Sequence, residues 1–151
     1  MQFDIDIETQ GLDIDVELIR KAILATLNHH DINFSGEVSV LCVKDAEMAQ
    51  YNKQHRGKDA TTDVLSFPQF SAEEIDNASG EFICLGDIII NIDAIPRQAA
   101  DYGHGQAREA AFLIVHSMLH LLGYVHDDAV SEADMMALQE QILVNEMGLG
   151  R

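Results

Sequence analysis

HSMLHLLGYVHDD, residues 116–128, sets three histidines, His116, His120 and His126, within eleven residues. The apolar residues around them, Phe112, Leu113, Val115, Leu119, Leu121 and Leu122, have the density of a buried helix. On a helix, residues four apart sit one turn apart on one face, so His116 and His120 aim both imidazoles at one point. Gly123 can take a left-handed backbone without steric cost, ending the helix and turning the chain back so that His126 meets the other two. A lone histidine on such a face would be a hydrogen-bonded core residue. Three at this spacing, with a helix-ending glycine between the second and third, point to a metal site.

Three neutral imidazoles suit Zn²⁺, at about 2.0–2.1 Å each, and three protein ligands leave a tetrahedral ion one open position, as catalysis requires. Zinc proteases of the His-Glu-x-x-His type carry a glutamate after the first histidine as general base. Ser117 stands there instead, which disfavours a peptidase.

Working outward, 151 residues are expected to form one domain with one core. Cys42 and Cys84 lie in apolar strand-like runs, VSVLCVK and GEFICLGDIII, and are expected to be two buried thiols in a reducing compartment. MQFDIDIETQ has neither a basic start nor an apolar segment, and no apolar run approaches the roughly 18 residues of a membrane helix, so a cytosolic protein is expected. Nine basic residues against 26 acidic ones give a net charge of −17, which favours solubility and repels nucleic acid in general. Arg56 and Lys58, with Arg97 and Arg108 just ahead of the histidine helix, are the residues from which a local positive site could be built.

From the N-terminus, QFDIDIE at 2–8 alternates as a half-buried strand. Val16, Ile19, Ile23, Leu24 and Leu27 recur at helical spacing from Asp13 to about His29, with Asp13 or Asp15 as N-cap and with His29 and His30 as exposed helix-end residues. A turn is expected at 33–36, a strand over EVSVLCV, and a helix begun by Asp45 over DAEMAQYNKQH and stopped by Gly57. DVLSF reads as a short strand closed by Pro68, and 71–81 as a surface loop. FICLGDIIIN reads as a strand with a bulge or close approach at Gly86, in which Asp87 needs a partner if buried. A helix should run from near Asp93 to Gly103 with Pro96 in its first turn, the histidine helix from about His104 to Leu122, and a last helix from Ser131 to about Met147. In the last helix Met135, Leu138, Ile142 and Met147 should face inward.

The fold class expected is α+β: a single domain with an about four-stranded mixed sheet, about five helices, and a three-histidine metal site at the end of a buried helix.

Set beside HRGKDATTDVLSFP and LGDIIIN, the histidine block gives the chain a resemblance to the YbeY family of bacterial metal-dependent endoribonucleases, which mature ribosomal RNA. The resemblance runs from about Tyr51 to Leu143 in four blocks, YNKQHRGKDATTDVLSFP, LGDIIIN, HSMLHLLGYVH and MMALQEQIL. It implies a single YbeY-like metal-dependent hydrolase domain over residues 1–151. It also implies one Zn²⁺ on His116, His120 and His126, with Arg56 as the catalytic residue acting on the RNA. The implied substrate is single-stranded RNA, in particular ribosomal RNA, and the implied partner is the small ribosomal subunit. Two residues depart from the family's pattern. Val125 stands where an aspartate is common, so that Asp127 or Asp128 would have to supply a carboxylate behind the ligands, and Thr61 stands where a proline is common.

On this reading Arg56 steadies the charge of the transition state, and Lys58 and Arg97 help hold the strand. The general base is the metal centre's own hydroxide, Asp127, or the RNA 2′-hydroxyl. Two other classes share the histidines: a binding factor for ribosome assembly whose structural zinc takes Asp127 or Asp128 as fourth ligand, and a metal-dependent hydrolase of a non-RNA substrate.

Overall fold

The computed structural model describes residues 2–32 and 34–150. Its elements are β1 (Phe3–Glu8), α1 (Val16–His29), β2 (Ser35–Val43), α2 (Asp45–Arg56), β3 (Val64–Pro68), α3 (Ala72–Asn77), β4 (Phe82–Asn91), α4 (Ala94–Tyr102), α5 (Gln106–Leu121) and α6 (Ala129–Gln141). A π-helical turn, Ile142–Glu146, continues from α6. The strands form one sheet in the order β1-β2-β4-β3, in which β1, β2 and β4 run parallel and β3 closes one edge antiparallel. This is the expected α+β fold with a mixed four-stranded sheet.

Alternation makes the layers. Most apolar residues of β1, β2 and β4 turn to one face of the sheet, where α1 and α5 cover them. Ile23, Leu27, Val40, Ile88, Ile90, Ile114, Met118 and Leu119 are almost wholly removed from water there. Each such side chain contributes about 1.5–3 kcal/mol of burial free energy. A smaller cluster on the other face, Val43, Met48, Leu65 and Ile89, is covered by α2. Residues of β3 and β4 therefore pack on both sides, and the long helix α5 lies against the sheet with its C-terminal end near β3.

In β4, Glu37 faces Cys84 and Val38 faces Gly86, so Leu85 is an extra, buried residue at a bulge. Gly86 has φ 143°, and a β-carbon on it would lie 2.2 Å from the Phe67 carbonyl oxygen. The close approach read from the sequence is thus that of β3's backbone.

Several expectations shift. Residues 71–81 contain α3, because Ser71 caps it, accepting from the Glu74 amide while the Glu74 side chain accepts from the Ser71 amide. Among the described residues this makes six α-helices. Asp15, not Asp13, caps α1 by accepting from the Leu18 amide at 3.1 Å. Gly36 belongs to β2 instead of a turn, and Asn33 lies outside the described residues. The last helix begins at Ala129 because Asp128 caps it. Cys42 is buried, and burial pushes its thiol up to about 11. Cys84 is exposed, since alternation turns it to the opposite face, where its thiol donates to Glu37 at 2.7 Å. Asp87 is exposed as well and accepts from the Ser39 hydroxyl.

Candidate metal centre and the groove around it

The histidine face of α5 opens on a groove of about 770 Å³. Its far wall is built from β3 and the end of α2.

His116 and His120 lie on successive turns of α5, with their Nε2 atoms 3.1 Å apart. Ligand nitrogens of His116, His120 and His126 all fall within 4.8 Å of one another, and the three rings come within 4.6–5.5 Å centroid to centroid. A tetrahedral zinc with 2.0–2.1 Å bonds would separate its ligand atoms by about 3.3 Å.

The hydrogen bonds behind the rings decide what the front can do. His116 Nδ1 lies 2.5 Å from the Gln139 carbonyl oxygen, and His120 Nδ1 lies 3.0 Å from the Tyr124 main-chain carbonyl oxygen. Both partners only accept, so both Nδ1 atoms carry the hydrogen and both Nε2 atoms carry a lone pair. Two lone pairs then face each other across 3.1 Å, an arrangement that repels unless a cation sits between them. Protonation is a poor remedy. Burial pushes the His120 imidazole down to about 4, with His116 adding to the effect, and burial likewise lowers His116 against the opposing pull of Gln139. The donor set fits a metal ion that accepts neutral nitrogen.

Gly123 makes the cluster close. At φ 99° it turns the chain after α5, and a β-carbon on it would lie 2.5 Å from that of Ala72 at the start of α3. Any other residue would strain the backbone and displace α3. Exposed His126 completes the group from beyond this turn.

Neither aspartate stands behind the Nδ1 atoms of His116 and His120. Asp128 is committed to α6, accepting from the Ser131 amide at 2.8 Å, and Asp127 accepts from the Ser131 hydroxyl at 3.4 Å. Among the described residues the candidate ligand group comprises the three histidines alone. The support expected of a carboxylate comes from Gln139 and a main-chain carbonyl. Gln139 was not singled out by the sequence reading, although a signal exists: it is four residues after Met135 and three before Ile142, on a stripe whose three members are all buried. A fully buried glutamine on such a stripe needs a polar partner. Both carboxylate oxygens of the adjacent Glu140 accept from a single Arg108 guanidinium nitrogen, at 2.5 and 2.6 Å, tying α6 to α5 at that level. Arg108 is therefore a buried structural cation and not part of a positive site.

Arg56 is the last residue of α2, exposed, and lines the same groove as the histidines. Gly57, left-handed at φ 68°, stops the helix behind it. The loop that follows is held from beneath. Asn52 donates to the Ala60 carbonyl at 2.7 Å, while the Asn91 amide reaches Asp45, Thr61 and the Thr62 carbonyl at 2.7, 3.1 and 3.1 Å. The Thr61 hydroxyl also donates to Asp45, so the residue that departs from the family's proline joins this network. Val125, the other departure, is 58% exposed beside the groove. Asp63 lines the groove too, its carboxylate accepting from the Val64 amide and from Gln98, and its charge favours a protonated His116. Arg97 turns away to a bidentate pair with Asp45 at 2.6 and 2.8 Å and is not free to hold a strand. Arg20, Lys44, Arg97 and Arg108 have acidic partners; among the described residues Lys21, Lys53, Arg56 and Lys58 have none, and three of these four sit within six residues at the end of α2. Ser117, which stands where zinc proteases carry their glutamate, is buried and absent from the groove wall.

Fold and site define a single-domain α+β protein with a three-histidine group able to hold a metal ion at the foot of an open groove. A family model described as endoribonuclease YbeY matches residues 4–147. Curated relatives carry the same name: one from Roseiflexus castenholzii is 43% identical over 139 residues, covering 91% of this chain and 87% of the relative. One from Moorella thermoacetica is 50% identical over 119 residues, 77% and 76% of the two chains, and one from Agathobacter rectalis is 36% identical with both chains fully covered. The chain belongs to the endoribonuclease YbeY family. The solution structure of a Thermotoga maritima protein shares the fold with a TM-score of 0.62 at 24% identity, covering 96% of this chain and 90% of that one. Among the described residues no helix is long and apolar enough to cross a membrane.

Proposed function

We propose that this chain, as one metal-dependent hydrolase domain over residues 1–151, is a zinc-dependent, single-strand-specific endoribonuclease of ribosomal RNA processing and small-subunit maturation, working in the cytoplasm. The observation that carries the reading is the pair of Nε2 lone pairs facing each other in a groove that Arg56 enters from the opposite wall. His116, His120 and His126 would hold the zinc. When bound, that ion supplies a Lewis-acidic centre able to polarise a phosphoryl oxygen or acidify a water.

The other contributions come from the chain's own side chains. Arg56 binds a non-bridging phosphate oxygen through its planar fork and stabilises the charge that grows there during cleavage. Lys58 meets a neighbouring phosphate. The groove favours a single strand, whose backbone can bend to bring one phosphate between the two walls, over a duplex, which needs a long cationic track. With so few free cations, the small ribosomal subunit is the partner that brings substrate to enzyme.

The test is metal content and cleavage of single-stranded and duplex RNA oligonucleotides, measured in parallel on wild type, His116→Ala and Arg56→Ala. The reading expects about one zinc and single-strand cleavage in the wild type, loss of both in the histidine variant, and loss of cleavage alone in the arginine variant. A zinc-loaded wild type inert on every RNA, ribosomal precursor included, sinks it.

A further inference from the structure

Gly123 has no side chain with which to anchor the turn that it makes. The residue after it does. Its main-chain carbonyl accepts from His120 Nδ1 at 3.0 Å, and its phenol reaches the other way, to His30 at the C-cap of α1, where the hydroxyl lies 3.0 Å from Nε2. The roles in this second bond are fixed. His30 Nδ1 lies 2.8 Å from the Thr26 carbonyl oxygen, which can only accept, so the hydrogen is on Nδ1, Nε2 carries the lone pair, and the Tyr124 hydroxyl donates to it. The rings meet edge to face with centroids 5.7 Å apart. His30 is accordingly half-buried and engaged, where a solvent-facing helix end was expected.

These contacts form an unbroken run from the backbone of α1 to the front of His120. Tyr124 is also where the regular backbone bonding of the turn stops. The amides of Leu122, Gly123 and Tyr124 reach back to Met118, His120 and Leu119 at 2.9–3.0 Å, whereas among the described residues those of Val125, His126 and Asp127 make no backbone hydrogen bond. The phenol thus holds the last fixed point before His126.

We propose that His30 and the phenol of Tyr124 are positioning residues for the metal centre: their bond holds the Tyr124 carbonyl where it fixes both the tautomer and the orientation of His120. The inference rests on His120 being a metal ligand. Neither group needs to touch metal or substrate. A main-chain carbonyl cannot be tuned by substitution, so the side chain that carries it is where the sequence controls the ligand's aim. Outer contacts of this kind typically change metal affinity by 10- to 100-fold when lost. Here the carbonyl itself survives the substitution, so the lower end applies.

The test uses the full chain in four variants: Tyr124→Phe, His30→Ala, the double variant, and His120→Ala as reference. Zinc affinity is read by competition with a chromophoric chelator, the ligand field by the visible spectrum of the cobalt-loaded protein, and folding by the melting temperature without metal. Tyr124→Phe and His30→Ala should each weaken zinc binding by about tenfold and shift the cobalt bands, with the metal-free melting temperature nearly unchanged. The double variant should bind no more weakly than either single one, because both remove the same bond. Wild-type affinity and an unaltered cobalt spectrum in Tyr124→Phe overturn the proposal, as do effects that add in full. If His120→Ala loses zinc while Tyr124→Phe does not matter, the positioning role alone falls. If His120→Ala keeps stoichiometric zinc, the ligand assignment falls and takes the positioning role with it.

Discussion

The two walls of the groove are built on opposite plans. On the α5 wall, His116 and His120 stand on a buried helix, their Nδ1 atoms are satisfied from behind, and burial lowers both imidazoles. On the α2 wall, Arg56 is exposed at a helix end, and the hydrogen bonds lie one layer down, in the loop that Asn52 and Asn91 pin. A metal ion tolerates little error in ligand position, and on this wall two of the three histidines are held from behind. A phosphate on a flexible strand varies in position, and a long guanidinium on a fixed base can follow it. On the proposed function one wall would supply precision and the other reach.

Substitutions can break this comparison, and the largest effect should come from the precise wall. His120→Ala should empty the site, abolish cleavage, and lower the melting temperature of the zinc-loaded sample to that of the metal-free protein, as metal analysis and calorimetry would report. An intact zinc content would mean that the wall is not a metal site.

Next is the reaching wall. Arg56→Ala should cost about 10²- to 10³-fold in cleavage rate, the usual price of one transition-state donor, at unchanged zinc content and melting temperature. Arg56→Lys should restore only part of it, since an ammonium has no planar fork.

Smaller again is Gln139→Leu, which leaves the ligands in place and frees His116 Nδ1. A loss of about 10- to 100-fold in zinc affinity, with Arg56 function intact at saturating metal, is the expected result of a chelator titration. An affinity equal to wild type would show that the histidine wall needs no support from α6.

The smallest effect belongs to the scaffold of the reaching wall. The Arg97 guanidinium beside Asp45 holds that carboxyl well below the usual carboxylate range, helped by Asn91 and opposed slightly by burial. A depressed folded value means that the pair's contribution is full above the unfolded value of about 3.9 and is lost as pH falls through the folded one. Arg97→Ala should therefore lower the melting temperature slightly at pH 7, within the range of a surface ion pair, and the difference from wild type should shrink below about pH 4. Thermal melts from pH 7 to pH 3 would show it.

The walls also differ in how legible they were. Spacing and one glycine were enough for the histidines, because a helix maps sequence interval directly onto direction in space. The strands were equally readable, since alternation in FDIDIE and the apolar run of β4 state their own period. Charge placement marked Arg56 only as part of a possible positive site and its catalytic role came with the resemblance, while what supports it is long-range: Asn91 lies 29 to 46 residues from its partners. Strand order has the same character, with β4 lying between β2 and β3. Misreadings followed from context that a local window lacks. Cys84 was placed by the apolarity of its neighbours although alternation turns it outward, and 71–81 looked like a loop because the capping box that starts α3 is itself polar. Asp127 and Asp128 were near the ligands in sequence, but Asp128 answers the nearer demand of a bare amide at the start of α6 and Asp127 accepts from the Ser131 hydroxyl.

Gathering three unpaired cations at the end of α2, on a chain of net charge −17, changes how salt should act on the reaction. For most nucleases added salt weakens binding steeply, because many phosphates release counterions as they are neutralised. Here the far field repels RNA and only two or three cations meet it at close range. Raising ionic strength from about 0.01 M to 0.1 M shortens the Debye length from about 30 Å to about 10 Å, hiding the acidic shell while leaving contacts inside the groove largely intact. Encounter with a free oligonucleotide should then quicken before it slows, so that the enzyme is fastest at an intermediate salt concentration.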